Sequence, residues 1–332
     1  MYWKYNEVIR NHQWINTINS DNFDELAIEL YQYQFAHNQL YQQFAKLIGK
    51  TPEKVKSIAD IPFLPIHFFK THTIKTDAFE TDIIFESSGT TTTINSKHHI
   101  KDTSLYTQSF LKGFEMYYGK PDDFVFLCLL PSYLERNNSS LVYMAKELIA
   151  QSKHAESGFY LNEWEALANM IKEVQAQGKK CILLGVTFAL IDFADAYPIN
   201  MKDIIVMETG GMKGRKEEMT RKQVHKHLQL AWQLSEIHSE YGMTELLSQA
   251  YALQEGIFKP CNSMKVLVRS IEDPLDIKPV GKGVLNIIDL ANVHSCSFIA
   301  TDDLGNIHLD GSFEVNGRLD HAALRGCSLM AL

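Results

Sequence analysis

Ile83-Ile84-Phe85-Glu86-Ser87-Ser88-Gly89-Thr90-Thr91-Thr92-Thr93-Ile94-Asn95-Ser96-Lys97 is the stretch from which the rest of the chain is read. Its apolar start reads as a short buried strand, and every residue from Ser87 to Thr93 is Ser, Thr or Gly. Small side chains let a backbone wrap tightly around an anion and turn successive N–H groups inward as a nest. The hydroxyls of Ser87, Ser88, Thr90, Thr91 and Thr92 add donors beside Gly89, and Lys97 adds a mobile positive charge. A nucleotide polyphosphate needs that set of groups. Taken alone, the same stretch reads equally well as a flexible Ser/Thr-rich surface loop. No G-x-x-x-x-G-K-[ST] occurs in the chain, so this is not a Walker A loop.

Working outward, apolar runs of strand length alternate with helical stretches from residue 82 onward, the pattern of a mostly parallel sheet flanked by helices. The runs are Ile83–Phe85, Phe124–Leu130, Cys181–Leu184, Ile204–Met207 and, more weakly, Glu236–His238. Helices are predicted over Ser139–Gln151, Glu163–Gln177 and Arg215–Trp232, with Gly178 closing the second. Small, polar, glycine-containing segments follow each run: Ser87–Thr90, Pro131-Ser132-Tyr133, Gly185-Val186-Thr187, Thr209-Gly210-Gly211 and Glu240–Glu245. Ligands of open α/β sheets bind beyond the carboxyl ends of the strands, so five such ends point to a nucleotide site.

Upstream, the three- and four-residue spacing of Phe23, Leu26, Ala27, Leu30, Tyr41, Phe44, Leu47 and Ile48 predicts helix from 22 to 48. Asn22 with Glu25 resembles a capping box, and Thr51-Pro52 looks like a fresh helix start. Ile61 to Lys70, broken by Pro62 and Pro65, reads as an extended packed loop. After about residue 262 the helical period gives way to short β-rich runs separated by turn signals such as Gly281-Lys282-Gly283 and Leu304-Gly305-Asn306. The expected organisation is an α/β core over 1–261, with N-terminal helices at 1–60. A second, antiparallel β subdomain with a tail covers 262–332.

Composition narrows the function. The chain has 332 residues, 45% apolar and 22% charged, with a net charge of -8, which argues against a nucleic-acid surface. No apolar run is long enough to span a bilayer, and Met1-Tyr2-Trp3-Lys4 opens no apolar signal core. Cys128, Cys181, Cys261, Cys296 and Cys327 are widely spaced with no C-x-x-C pair, which suits a reducing cytoplasm. His98-His99 and His225-x-His227 lack a third metal ligand, and the second pair is expected on an exposed charged helix.

Four ordered pieces resemble the adenylate-forming superfamily, which makes acyl-AMP from a carboxylic acid and ATP. They are the Ser87–Lys97 loop, Gly210-Gly211, Tyr241-Gly242-Met243-Thr244-Glu245 in the pattern Y-G-x-T-E, and Thr301-Asp302-Asp303-Leu304-Gly305 followed by Gly317-Arg318-Leu319-Asp320. The resemblance implies that Gly210-Gly211 lies against adenine and that Tyr241 stacks on it. It further implies that Thr244 contacts the α-phosphate, that Glu245 holds Mg²⁺, and that Asp303 and Arg318 meet the ribose hydroxyls. The superfamily's lid domain, with its lysine, is not expected in this chain. Pro62-Phe63-Leu64-Pro65 with Phe69-Lys70, Pro131–Arg136 and Leu324-Arg325-Gly326-Cys327-Ser328-Leu329 resemble the LuxE-type acyl-protein synthetases. That family loads a fatty acyl group onto a C-terminal cysteine and hands it to a reductase.

By its own chemistry, Cys327 sits beside Arg325 and near His321, which would favour a thiolate. Three readings stay open at this point: acyl transfer to Cys327, acyl transfer to coenzyme A or a carrier protein, and a non-catalytic nucleotide-binding subunit of a reductase complex. The expected ligands are ATP, Mg²⁺ and a carboxylic acid. An acyl-reductase or acyl-carrier protein is the expected partner, with a homo-oligomer as an option.

Overall fold

The computed structural model describes residues 13–87, 94–131, 138–210 and 219–319. The N-terminal helical stretch is two helices, α1 (Phe23–His37) and α2 (Gln39–Leu47), instead of the continuous one its periodicity predicts. Asn38 breaks it with an extended backbone (φ -116°, ψ 102°). Its side chain accepts from Tyr41 N at 3.0 Å and donates to Ser295 O at 2.9 Å. Asn22 caps nothing: it lies in the helical region with no side-chain bond to the helix, so the expected capping box is not formed. Thr51-Pro52 opens only a single turn. The proline-broken segment is more ordered than an extended loop, with β1 (Leu64–Pro65) pairing parallel to Ile299-Ala300 before one helical turn, α3 (Phe68–Thr71).

The first apolar run is not part of the parallel sheet. β2 (Ile83–Glu86) pairs antiparallel with β3 (Lys97–Ile100) in a two-stranded ribbon of its own. The reason is connectivity. A chain that returns through a short loop can pair only antiparallel, because a parallel partner needs a long crossover. The hydroxyl-rich stretch is therefore the connection between two antiparallel strands.

Beyond α4 (Thr103–Tyr118), the parallel strands are β4 (Val125–Leu129), β5 (Gly158–Tyr160), β6 (Cys181–Gly185), β7 (Ile204–Glu208) and β8 (His238–Tyr241), in the order β5-β4-β6-β7-β8. β4 and β6 are buried along their whole length, as strands covered on both faces must be. The crossovers are α5 (Ser140–Gln151), α6 (Trp164–Ala176), α7 (Thr187–Ala196) and α8 (Arg221–Trp232). Ser139 caps α5 through a bond from Val142 N, and Thr220 with Gln223 forms a capping box on α8.

The sheet then continues antiparallel through β9 (Ala250–Ala252), β10 (Ile257–Pro260) and the C-terminal strands. These are β11 (Met264–Arg269), β12 (Ile277–Lys278), β13 (Gly281–Asp289), β14 (Phe298–Ile307) and β15 (Phe313–Arg318). β10 is the join, pairing with β9 on one edge and β15 on the other. The predicted turn at Leu304-Gly305-Asn306 is instead a bulge inside β14. Cys128, Cys181, Cys261 and Cys296 are all buried, the first two in the strands expected for them.

Replacing Asn38 by Ala removes the cap of α2 and one of the two bonds to the Ser295 carbonyl, which keeps the Thr76 hydroxyl at 2.6 Å. The expected loss is about 1–3 kcal/mol of unfolding free energy. Urea denaturation measures it, and a loss below the effect of an ordinary surface substitution would remove Asn38 as the pin between the two helices.

Candidate active site

β8 carries the first group. Tyr241 is 7% exposed, its ring edge-on to Phe313 at 5.4 Å and tilted to Phe258 at 5.7 Å. Burial, then the adjacent Asp303, pushes its phenol well above the ordinary value, so it stays protonated and donates to Asp303 Oδ2 at 2.7 Å. Arg318 Nε donates to Asp303 Oδ1 at 3.1 Å. The Arg318 side chain is 80% exposed, so water screens this pair and its role is orientation more than stability.

The loop after Tyr241 is held from behind. Leu247 N and Ser248 N donate to the fully buried Asp289 carboxylate at 2.7 and 3.0 Å, and the Ser248 hydroxyl donates to it at 2.6 Å. Asn292 Nδ2 donates to Glu245 O at 2.7 Å, and His98 Nδ1 to Thr244 O at 2.8 Å. Burial keeps the His98 ring low, about 4, and therefore neutral. Glu245 itself is 5% exposed. Burial pushes its carboxyl up, while the Ser96 hydroxyl, Arg318 and Lys70 pull it down. Ser96 N donates to Ser87 Oγ at 2.9 Å, and Ser87 N to Ser96 O at 3.1 Å, closing the base of the hydroxyl-rich loop. Lys97 is 55% exposed and faces Glu86 at 4.0 Å.

The third group lies at the tip of β7. Gly210 has φ +70°, a left-handed conformation that glycine adopts without strain. Its N–H donates to Glu208 Oε2 at 2.8 Å, and its carbonyl accepts from Thr187 N at 3.2 Å. Glu208 is 3% exposed and also accepts from the Thr187 hydroxyl (2.8 Å), the Ser239 hydroxyl (2.9 Å) and Arg221 Nε (3.1 Å), with His225 Nε2 at 3.6 Å. Burial alone would raise this carboxyl, but its partners hold it well below the ordinary range. Arg221 reaches on to Val315 O at 3.0 Å and stacks over Phe258 at 4.9 Å. Thr209 Oγ1 is buried without a hydrogen-bond partner among the described residues, an acceptor and donor left over for a ligand.

The structure thus brings together Ser87, Lys97, Gly210, Tyr241, Gly242, Thr244, Glu245, Asp303 and Arg318. Ser88, Gly89, Thr90, Thr91, Thr92, Gly211 and Cys327 lie outside the described residues. His225 is buried against Ser239 and Glu208 and is not on an exposed face, whereas His227 pairs with Asp195 at 2.8 Å. Among the described residues no cluster of His, Cys, Asp and Glu could hold a metal by itself. A hard divalent cation completes its shell with phosphate oxygens, so the single buried carboxylate of Glu245 fits Mg²⁺ bound together with a nucleotide. Sequence reasoning passed over Glu208, Asp289, Asn292 and the backing role of His98. The available signal for Glu208 was a carboxylate closing the apolar run Ile204–Met207 directly before a glycine pair.

The sheet and its helices follow a fold shared with solved acyl-CoA ligases. The structure of a 2-hydroxyisobutyryl-CoA ligase, in an open conformation with 2-HIB-AMP and CoA, matches with a TM-score of 0.63 at 13% identity, over 90% of this chain and 74% of that one. A long-chain-fatty-acid-CoA ligase from Archaeoglobus fulgidus matches with a TM-score of 0.52 at 14% identity, over 76% of this chain and 54% of that one. No curated protein matches the sequence. The chain belongs to the acyl-protein synthetase family LuxE, which matches it over residues 10–331. Its chemistry is therefore of the AMP-forming acid-ligase class, activation of a carboxylic acid as acyl-AMP. No helix among the described residues is long and apolar enough to cross a membrane.

Glu240, beside Tyr241, gives a pH test. Burial, then the Glu208 charge, pushes its carboxyl from the ordinary 4.5 up to about 8, and its Oε1 lies where a Cβ on Gly242 would sit, at 2.4 Å. A raised acid favours the folded state when protonated. Its contribution is full below pH 4.5 and is lost as the pH rises through about 8. Glu208, depressed, acts in the opposite direction, and its contribution fades only on acidification below the ordinary range. Glu240→Gln should therefore shrink the difference between melting midpoints at pH 5 and pH 8. An unchanged difference would show that Glu240 does not titrate in that window.

Proposed function

We propose that this chain activates a fatty-class carboxylic acid with ATP, accepts the acyl group on Cys327 as a thioester, and delivers it to a reductase-type partner. The reading is carried by the linkage of Gly210 after β7, Tyr241 and the Glu245 loop at the end of β8, and Asp303 within β14, through bonded partners. A family match that runs through Cys327 supports the acceptor.

Tyr241 and Gly210-Gly211 frame the adenine, and Asp303 with Arg318 holds the ribose. Ser87 to Thr92, with Lys97, wraps the β- and γ-phosphates. Gly242 lets the backbone pass close to the nucleotide, and Thr244 donates to the α-phosphate. Mg²⁺ held by Glu245 supplies charge neutralisation at the phosphates. The acid's carboxylate oxygen attacks the α-phosphorus. The bond from that phosphorus to the bridging oxygen breaks, and pyrophosphate leaves with the electron pair. In the second step the Cys327 thiolate attacks the acyl carbon, the carbon–oxygen bond to phosphate breaks, and AMP leaves. Fixed donors at the place where charge develops are the main source of rate in such steps.

Two measurements test this. Incubation with ATP, Mg²⁺ and fatty acids should give a hydroxylamine-labile adduct by intact mass that Cys327→Ser abolishes. An adduct that survives the substitution overturns the acceptor, and ATP-dependent acylation of added coenzyme A without any adduct points to a CoA ligase. Separately, Asp303→Ala should raise KM for ATP roughly 10- to 100-fold with a smaller change in kcat, the cost of one charged hydrogen-bonding partner. An unchanged KM for ATP would move the ribose elsewhere.

A further inference from the structure

The cations of the candidate site are unevenly committed. Arg318 bonds Asp303 at 3.1 Å, Arg221 bonds Glu208 at 3.1 Å, and Lys97 faces Glu86 at 4.0 Å. Lys70 is exposed, and among the described residues no carboxylate lies within ion-pair distance of it. Its positive charge nevertheless pulls the Glu245 carboxyl down, as that of Arg318 does.

The backbone that carries Lys70 is fixed on both sides. Phe69, one residue back, is 1% exposed and meets the His98 ring edge-on at 5.6 Å, and His98 in turn bonds the Thr244 carbonyl at 2.8 Å. On the upstream side, Leu64 and Pro65 pair with Ile299 and Ala300, and Ile66 N donates to Ala300 O at 2.9 Å. His67 Nε2 lies 3.0 Å from Asp302, the neighbour of Asp303. The single turn α3 therefore bridges the segment carrying Thr244-Glu245 and the segment carrying Asp303. A lysine stem is long and flexible and ends in a compact charge. On a rigid base it can follow a phosphate group without moving the backbone.

We propose that Lys70 is the cation that meets the phosphates of ATP at the Glu245 end of the site and stabilises the charge that develops at the α-phosphorus. This rests on the acid-activating function given above. The ammonium acts as a hydrogen-bond donor throughout. The carboxylate oxygen bonds to phosphorus, pyrophosphate leaves with the electron pair, and no proton moves to or from Lys70.

The test has two arms on the full chain. The first uses ATP carrying an acyl group on its γ-phosphate. A nearby lysine amine attacks the acyl carbon, an amide forms, the acyl–oxygen bond breaks, ATP leaves and a proton goes to solvent. Peptide mapping should find the label on Lys70, suppressed by excess unmodified ATP; a Lys70 that is unlabelled, or labelled regardless of ATP, overturns the proposal. The second arm measures pyrophosphate release. Lys70→Ala should lower kcat on the order of 100-fold, the usual cost of removing one preorganised donor, with the melting midpoint unchanged and partial recovery in Lys70→Arg. A change of less than about threefold overturns the catalytic part. If the wild-type chain labels Lys70 in an ATP-sensitive way yet releases no pyrophosphate with any acid, the acid-activating function falls and the phosphate contact stands.

Discussion

A carboxylate buried at the tip of a parallel strand is the constraint on which the site depends. Taking a charge out of water costs several kcal/mol unless partners replace its hydration. Glu208 finds them in four donors from four elements: the Gly210 N–H, the Thr187 hydroxyl, Arg221 and Ser239. Each of these bonds ties a different part of the molecule to the same point. The Gly210 bend is set from below, the start of α7 is anchored, α8 is drawn onto the sheet, and β8 is registered beside β7. Through Arg221 the same point reaches Val315 on β15 and the Phe258 ring that packs on Tyr241. The parallel and antiparallel halves of the sheet meet at this group as well as through β10.

A second buried carboxylate does similar work for the Thr244-Glu245 loop. Asp289 ends β13 and gathers Leu247 N, Ser248 N, the Ser248 hydroxyl and Ala291 N, and burial still leaves it raised to about 6. Asn292 holds the Glu245 carbonyl from the same short connection. That connection is in turn sewn to α1, where Gln34 donates to Asn292 O and Val293 O at 3.0 and 3.1 Å and accepts from Ser297 N at 2.9 Å. The N-terminal helices, remote in sequence, thus set the position of a side chain more than two hundred residues later. Their periodic apolar face signals packing, but nothing local signals which loop they pack against.

The elements most visible in the sequence are those whose reasons are local. The buried runs of β4, β6 and β7 and the helices after β4 and β5 follow from apolar period and caps. The end of α6 at Gly178, with φ +63°, follows from a glycine needed for a left-handed backbone. The places where reading and structure part are those decided at a distance. Asn38 divides a helix because Ser295 and Thr76 are there to be bonded. β2 leaves the parallel sheet because its partner returns at once as an antiparallel neighbour. Leu304-Gly305-Asn306 stays in a strand because β15 arrives to pair with it. His225 is buried because Glu208 and Ser239 need it covered, though a charged neighbourhood in sequence suggested an exposed face.

What the sequence by itself determined is the chemical vocabulary at the strand ends: a hydroxyl-rich loop, a glycine pair, Y-G-x-T-E and a paired aspartate, in the order an adenylate-forming ligase requires. Those groups are legible because hydroxyls, glycines and lone carboxylates have few other uses when they cluster after apolar strands. Only the tertiary structure decided which buried charges hold those groups still, and which cation acting on Glu245 is left without an ion-pair partner among the described residues. Such facts arise from hydrogen bonds and Coulomb terms between residues far apart in the chain, and those depend on distance in space, which sequence order does not encode.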